Sequence, residues 1–220
     1  MHLRIFAFLA AILKKEMPNN RAYQKILNQL VQAILRQYRI DKNISVLVVC
    51  KDNVASSFLG SALGNAGSAF HNLDSIKFYS GGFLPGKLNK EAILVLEEIG
   101  FEILESGECA YSAENHENNC VFVYWGKKES DGSLEYSKLY NDLKIPNKCH
   151  IVLLFPQEKE LFGDVFQGSQ EVIELPFSNP VLSLNSFTAK SQLIETRNHF
   201  GAFLSICLGM VRDELDKALK

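Results

Sequence analysis

Apolar positions along the chain follow two rhythms. From Arg21 to Tyr38 they recur at Tyr23, Ile26, Leu27, Leu30, Val31, Ile34, Leu35 and Tyr38, the spacing of a helix with one buried stripe. Ile44 to Val49 is instead a continuous run of strand length, apolar except for Ser45, the pattern of a central parallel strand buried on both faces. Asn53 to about Gly67 returns to helical character with many small residues and is expected to stop at its glycine. Ser75 to Tyr79 reads as a second strand, broken by Ser80-Gly81-Gly82. Asn89 to Ile99 reads as a second helix after the first strand, with Gly100 as its C-cap. Glu105 to Lys148 is the least regular stretch. Val121 to Trp125, the turn GKKESDGS, and a return over Leu134 to Tyr140 as strand or short helix suggest an inserted hairpin-like arm. His150 to Phe155 and Glu171 to Leu175 are further strands, the latter stopped by Pro176. Ser191 to about Leu219 predicts a long closing helix.

Strands alternating with helices imply right-handed βαβ units. The expected fold is therefore α/β and three-layered. A central, mostly parallel four-stranded sheet carries helices on both faces, with the inserted arm and an N-terminal helical extension added. The expected division is an extension over 1–43 and one domain over 44–220, with the insert at about 105–148. Ligands of such sheets bind at the carboxyl ends of the strands, and Cys50 lies at the end of the first one.

Composition narrows the function classes. Of the 220 residues, 47% are hydrophobic and 22% charged, and the net charge is -2. That gives no reason to expect nucleic acid or an anionic membrane as partner. The five cysteines, Cys50, Cys109, Cys120, Cys149 and Cys207, do not read as a secreted disulfide framework. A reducing cytoplasm is expected, which would keep Cys50 free. Ile5 to Leu13 is apolar but too short to span a bilayer. It reads as a packed N-terminal helix, with a membrane-surface or export segment as the alternative, and Met17 as an alternative start. His71, His116, His150 and His199 show no zinc-ligand spacing, and no glycine fingerprint suggests a dinucleotide. No metal and no cofactor are expected.

The loop after the first strand carries the candidate chemistry. A chain that wraps from a strand into a helix points backbone N–H groups at one spot, and the helix dipole adds partial positive charge. Such a setting favours a bound oxyanion, or the thiolate of Cys50 as a nucleophile. A lone cysteine at a strand end is also a common small core residue. CKDNVASS, from Cys50 to Ser57, resembles the phosphate loop of the low-molecular-weight protein tyrosine phosphatases and of the thioredoxin-coupled arsenate reductases built on the same fold. FYSGGFLPGKLNKEAILVLEEIGFEI, from Phe78 to Ile103, is similar to that family's second strand, turn and following helix. PFSNP, Pro176 to Pro180, stands where the family has its Asp-Pro loop. YSKLYND, Tyr136 to Asp142, resembles a segment of a longer, arm-bearing group called arsenate reductase-like. The resemblance covers about Ile44 to Leu208.

The resemblance implies Cys50 as nucleophile, Asn53 as the residue that shapes the loop, and Ser57 as the hydroxyl that bonds the sulfur. It implies Lys51, Asp52, Asn53, Val54, Ala55 and Ser57 as the anion-binding positions. Two positions depart from the pattern. Ser56 stands in place of the arginine, and Asn179 stands in place of the general-acid aspartate. A neutral hydroxyl replaces a charged planar fork, and an amide cannot supply a proton at neutral pH. No resolving cysteine follows His150 to Phe155. Read from the residues alone, Asn179 before Pro180 starts a turn and Ser56 caps the next helix. The expected function is a phosphatase- or reductase-like protein with little or no turnover, taking a phosphate- or arsenate-like anion, a phosphorylated protein or another partner. The alternative is an active enzyme with charge supplied by Lys51, Lys87 or Arg197. The arm and the N-terminal helices would offer a surface for a second copy of the chain.

Overall fold

The computed structural model describes residues 1–14, 20–108, 119–147, 149–166, 171–180 and 186–218. Its elements run α1 (Leu3–Leu13), α2 (Arg21–Ile40), β1 (Ile44–Cys50), α3 (Ser56–Phe70), β2 (Ile76–Gly82), α4 (Lys90–Glu97), β3 (Glu102–Glu108), β4 (Asn119–Tyr124), β5 (Gly132–Glu135), β6 (Ile151–Leu154), α5 (Pro156–Phe162), β7 (Glu171–Glu174) and α6 (Ser186–Ala218). Cys109, His116 and Leu219 lie outside the described residues. Among the described residues, no helix is long and apolar enough to cross a membrane.

A four-stranded sheet in the order β2-β1-β6-β7, with every pair parallel, forms the middle layer. β1 shows why its sequence is apolar at every position but Ser45. Val46, Val48 and Cys50 enter one cluster, with side chains of α1, α2, α3 and α6. Leu47 and Val49 enter a second cluster on the opposite face. There they meet Ile145, Cys149 and Phe166, so that face is closed by the segment before β6 and by the 3-10 turn Gly163–Phe166 that continues α5. The expected three-layer α/β architecture is present, with the long helices on one face and shorter cover on the other.

Several boundaries move for physical reasons. Ser80, Gly81 and Gly82 extend β2 rather than break it, since β1 pairs with β2 as far as Cys50 against Gly82. The lack of a side chain at the two glycines is required by crowding. A Cβ on Gly81 would stand 2.7 Å from the Tyr140 Cα, and one on Gly82 would stand 2.7 Å from the Asn53 amide nitrogen. α3 starts only at Ser56, because Asn53 has φ +50 and cannot continue a right-handed helix. The helix passes Gly67 to end at Phe70. A Cβ on Gly67 would come within 3.0 Å of Leu208, so that glycine allows α3 and α6 to pack closely. Gly100 behaves as expected at the end of α4, with φ +106.

The arm is a three-stranded antiparallel sheet in the order β3-β4-β5. Cys120 in β4 is disulfide-bonded, which departs from a fully reduced set; Cys50, Cys149 and Cys207 are free. After β5 the chain turns back to the main sheet, and Gly82 donates from its N–H to the Lys138 carbonyl at 2.9 Å. This junction holds a buried ion pair. The Lys138 ammonium donates to Glu135 at 2.9 Å and to the Ser80 hydroxyl at 3.2 Å, and both charged side chains are about 4% exposed. Ser80 donates to the same Glu135 carboxylate at 2.9 Å.

Removing one partner of such a pair leaves a buried charge and costs about 3–5 kcal/mol. Lys138→Met is therefore expected to lower unfolding stability by that order in urea titrations. Combining it with Glu135→Leu should restore much of the loss. A Lys138→Met protein as stable as the parent would show that the pair does not hold the arm.

Candidate functional site

Cys50 ends β1 facing the helical layer, beside the first turn of α3. Its Sγ lies 2.9 Å from the Ser57 Oγ. Ser57 donates its only hydroxyl proton to the Asn53 Oδ1 at 2.7 Å, since a side-chain amide oxygen can only accept. Asn53 is fully buried and donates to the Tyr136 carbonyl at 3.4 Å and to the Lys138 carbonyl at 3.3 Å. The donor chain therefore runs from the thiol through Ser57 to Asn53, and the arm holds its far end. In this arrangement Ser57 accepts from the sulfur rather than donating to it.

That geometry suits a thiol. Cys50 is 1% exposed. Burial is the largest influence and pushes its pKa from an ordinary 9.0 to about 11. The Asp52 carboxylate acts in the same direction, while the backbone amides of Ser57 and Asn53 pull the other way. Burial therefore outweighs the donors that would favour a thiolate.

The loop is fastened to the chain that follows β2. Carbonyls of Lys51, Asp52 and Val54 are drawn outward by the N–H groups of Phe83, Leu84, Gly86 and Asn89. Ser137 also donates to the Asp52 carbonyl, at 2.9 Å. Two loop amides meet carboxylates of this chain. The Lys51 N–H donates to the Glu158 Oε1 at 3.2 Å, and the Val54 N–H donates to the Asp52 Oδ1 at 3.2 Å. Glu158 stands in the first turn of α5 and is 4% exposed. It also accepts from the Asn179 Nδ2 at 2.7 Å. Its other oxygen, Oε2, is buried and has no hydrogen-bond partner.

These groups line one cleft of about 440 Å³, which takes in Lys51, Asp52, Val54, Ala55, Ser56, Glu158 and Asn179. The structure thus brings Ser56 and Asn179 to the same cleft, with Cys50, Asn53 and Ser57 buried beneath it. Of the cations considered as substitutes for the arginine, Lys51 lines the cleft. Lys87 is exposed and is not part of its wall. Arg197 donates to the Val95 carbonyl at 2.9 Å under α4. Among the described residues no group of three or more His, Cys, Asp or Glu side chains could hold a metal ion.

Glu158 was not singled out from the sequence. A signal for it exists: Pro156 directly after an apolar strand marks the first position of a helix. The residue two further on then starts at the carboxyl end of β6, level with the loop after β1. The tether through Tyr136 and Lys138 had no comparable signal, because main-chain carbonyls do the bonding.

No protein-family model matches the chain, and no curated protein sequence does. Among solved structures it is similar to a mutant of YwlE from Bacillus subtilis, at 16% identity over 79% of this chain and 99% of that one, with a TM-score of 0.48. It is similar to a low-molecular-weight phosphotyrosine phosphatase from Vibrio cholerae O395, at 11% identity over 80% and 97% of the two chains, with a TM-score of 0.47. A thioredoxin-dependent arsenate reductase from Corynebacterium glutamicum matches at 14% identity over 98% and 82%, with a TM-score of 0.38.

The state of Cys50 has a direct readout. Folding raises its pKa, so the stability gained by keeping the thiol protonated is complete below pH 9.0 and is lost as the pH climbs through about 11. At pH 7, alkylation of Cys50 by iodoacetamide, followed by peptide mass spectrometry, is expected to run at least about a hundredfold slower in the folded protein than in the urea-unfolded chain. Rapid labelling of the folded protein at pH 7 would contradict the protonated, buried thiol.

Proposed function

We propose that this chain is a low-molecular-weight phosphatase-like or arsenate reductase-like protein whose phosphate loop no longer catalyses, and that it acts by binding. The observation that carries this reading is the Glu158 carboxylate. It takes the Lys51 amide, which an oxyanion would need, and the Asn179 side chain, which occupies the general-acid position of the resemblance. An incoming oxyanion would have to displace one carboxylate and approach a second, Asp52, with no guanidinium to offset the repulsion. The high thiol pKa acts in the same sense.

The magnitudes support silence over mere impairment. Loss of a main oxyanion stabiliser costs about a hundred- to a thousandfold in rate. Loss of a general acid costs about a hundred- to ten-thousandfold. The two need not multiply, but either leaves little measurable turnover.

Glu158 also changes what a reversion must contain. Asn179→Asp alone would set a carboxylate against Glu158 where an amide now donates at 2.7 Å. Turnover of an aryl phosphate by the wild type is expected to equal that of Cys50→Ser. The combination Ser56→Arg, Asn179→Asp and Glu158→Gln is expected to gain Cys50-dependent turnover, and to exceed the same variant with Glu158 retained. Cys50-dependent turnover in the wild type would refute the proposal.

A further inference from the structure

The cleft carries the wrong sign for an oxyanion, and that sign suggests another ligand. We propose that the cleft above Cys50 binds an organic cation, an ammonium or guanidinium group on an apolar body, with Glu158 and Asp52 as its counter-charges. This rests on the reading that the loop is no longer a phosphate site.

Glu158 is the main ground. Its side chain lines the cleft, the residue is 4% exposed, and Oε2 has no hydrogen-bond donor. A buried carboxylate oxygen left unpaired is costly, and natural structures supply it with a donor or a counter-charge. Here Oε1 has two donors and Oε2 has none. Asp52 lies at the same wall, and its Oδ1 is engaged by the Val54 amide. Among the described residues no ion pair joins either carboxylate to a basic side chain. Lys51 is the one basic residue of the lining, against two carboxylates. The lining therefore keeps an uncompensated negative charge next to an unpartnered acceptor.

The remaining wall specifies the rest of the ligand. Leu161 and Phe162 stand three and four residues after Glu158 and share its face of α5. They and Pro180 supply apolar surface around the carboxylates. Leu161 is 71% exposed, an open apolar contact at the rim. A cleft of about 440 Å³ suits a small organic molecule. A divalent metal fits poorly. It would ask for six or more oxygen ligands, whereas the described residues offer no cluster of three ligating side chains. An N–H cation needs no such cluster: it would lie between Glu158 and Asp52, and a turn of the Glu158 carboxyl would bring the buried Oε2 to it.

The test uses the full chain, n-butylammonium, n-butylguanidinium and inorganic phosphate as probes, with backbone amide NMR and calorimetry as readouts. Saturable binding of at least one cation is expected, with shifts concentrated at Lys51 to Ser56, Glu158 and Asn179. The better of the two cations identifies the head group. Glu158→Gln and Asp52→Asn each keep the acceptor oxygen that holds a loop amide, and each is expected to weaken binding about tenfold. Thermal unfolding checks both variants, and if one is unfolded the other decides. Absence of saturable cation binding at the cleft would overturn the proposal, as would affinity unchanged in a folded variant, or phosphate binding there in preference to the cations. Cys50-dependent phosphatase turnover would instead overturn the reading of a silent loop, so the two failures are distinguishable.

Discussion

One carboxylate joins the carboxyl ends of three strands. Glu158 follows β6, accepts from the Lys51 amide after β1, and accepts from the Asn179 side chain after β7. In a parallel sheet those ends converge where chemistry normally takes place, and each loop brings polar groups that need partners. An oxyanion could satisfy such groups from outside. Here the Glu158 carboxylate does so from within the chain, and it adds negative charge to the cleft those ends share.

A second constraint acts from below. Asn53 sits at φ +50, fully buried, and binds both Ser57 and the segment that returns from the arm. The arm is in turn fastened by the Lys138–Glu135 pair and Ser80, beside the close passage of Gly81 and Gly82. Loop shape is thus set by a continuous run of contacts from an inserted sheet to the sulfur. The arm is part of the site's scaffold, although none of its strands lines the cleft.

The sequence showed those features that burial alone decides. β1 is apolar at nearly every position because both its faces are covered, and α2 carries its stripe because only one face is. What it concealed depends on partners distant along the chain. Gly81 and Gly82 resemble a turn until Tyr140 and the Asn53 amide are known to pass them. Glu158 resembles one more surface charge in QEKE until its burial is known. The donor direction at Ser57 is decided by Asn53, four residues away, and no local pattern reveals it. The loop's position was therefore legible, while its electrostatics were not.

Serine at position 56 and asparagine at position 179 are coupled through Glu158. An aspartate at 179 would face Glu158 across 2.7 Å, a like-charge contact in a partly desolvated cleft, where screening is weak. An arginine at position 56 would put a guanidinium into the cleft that Glu158 and Asp52 line, where it would pair with them rather than wait for a ligand. With serine and asparagine in those places, Glu158 has an amide donor in Asn179 and no competing cation from position 56.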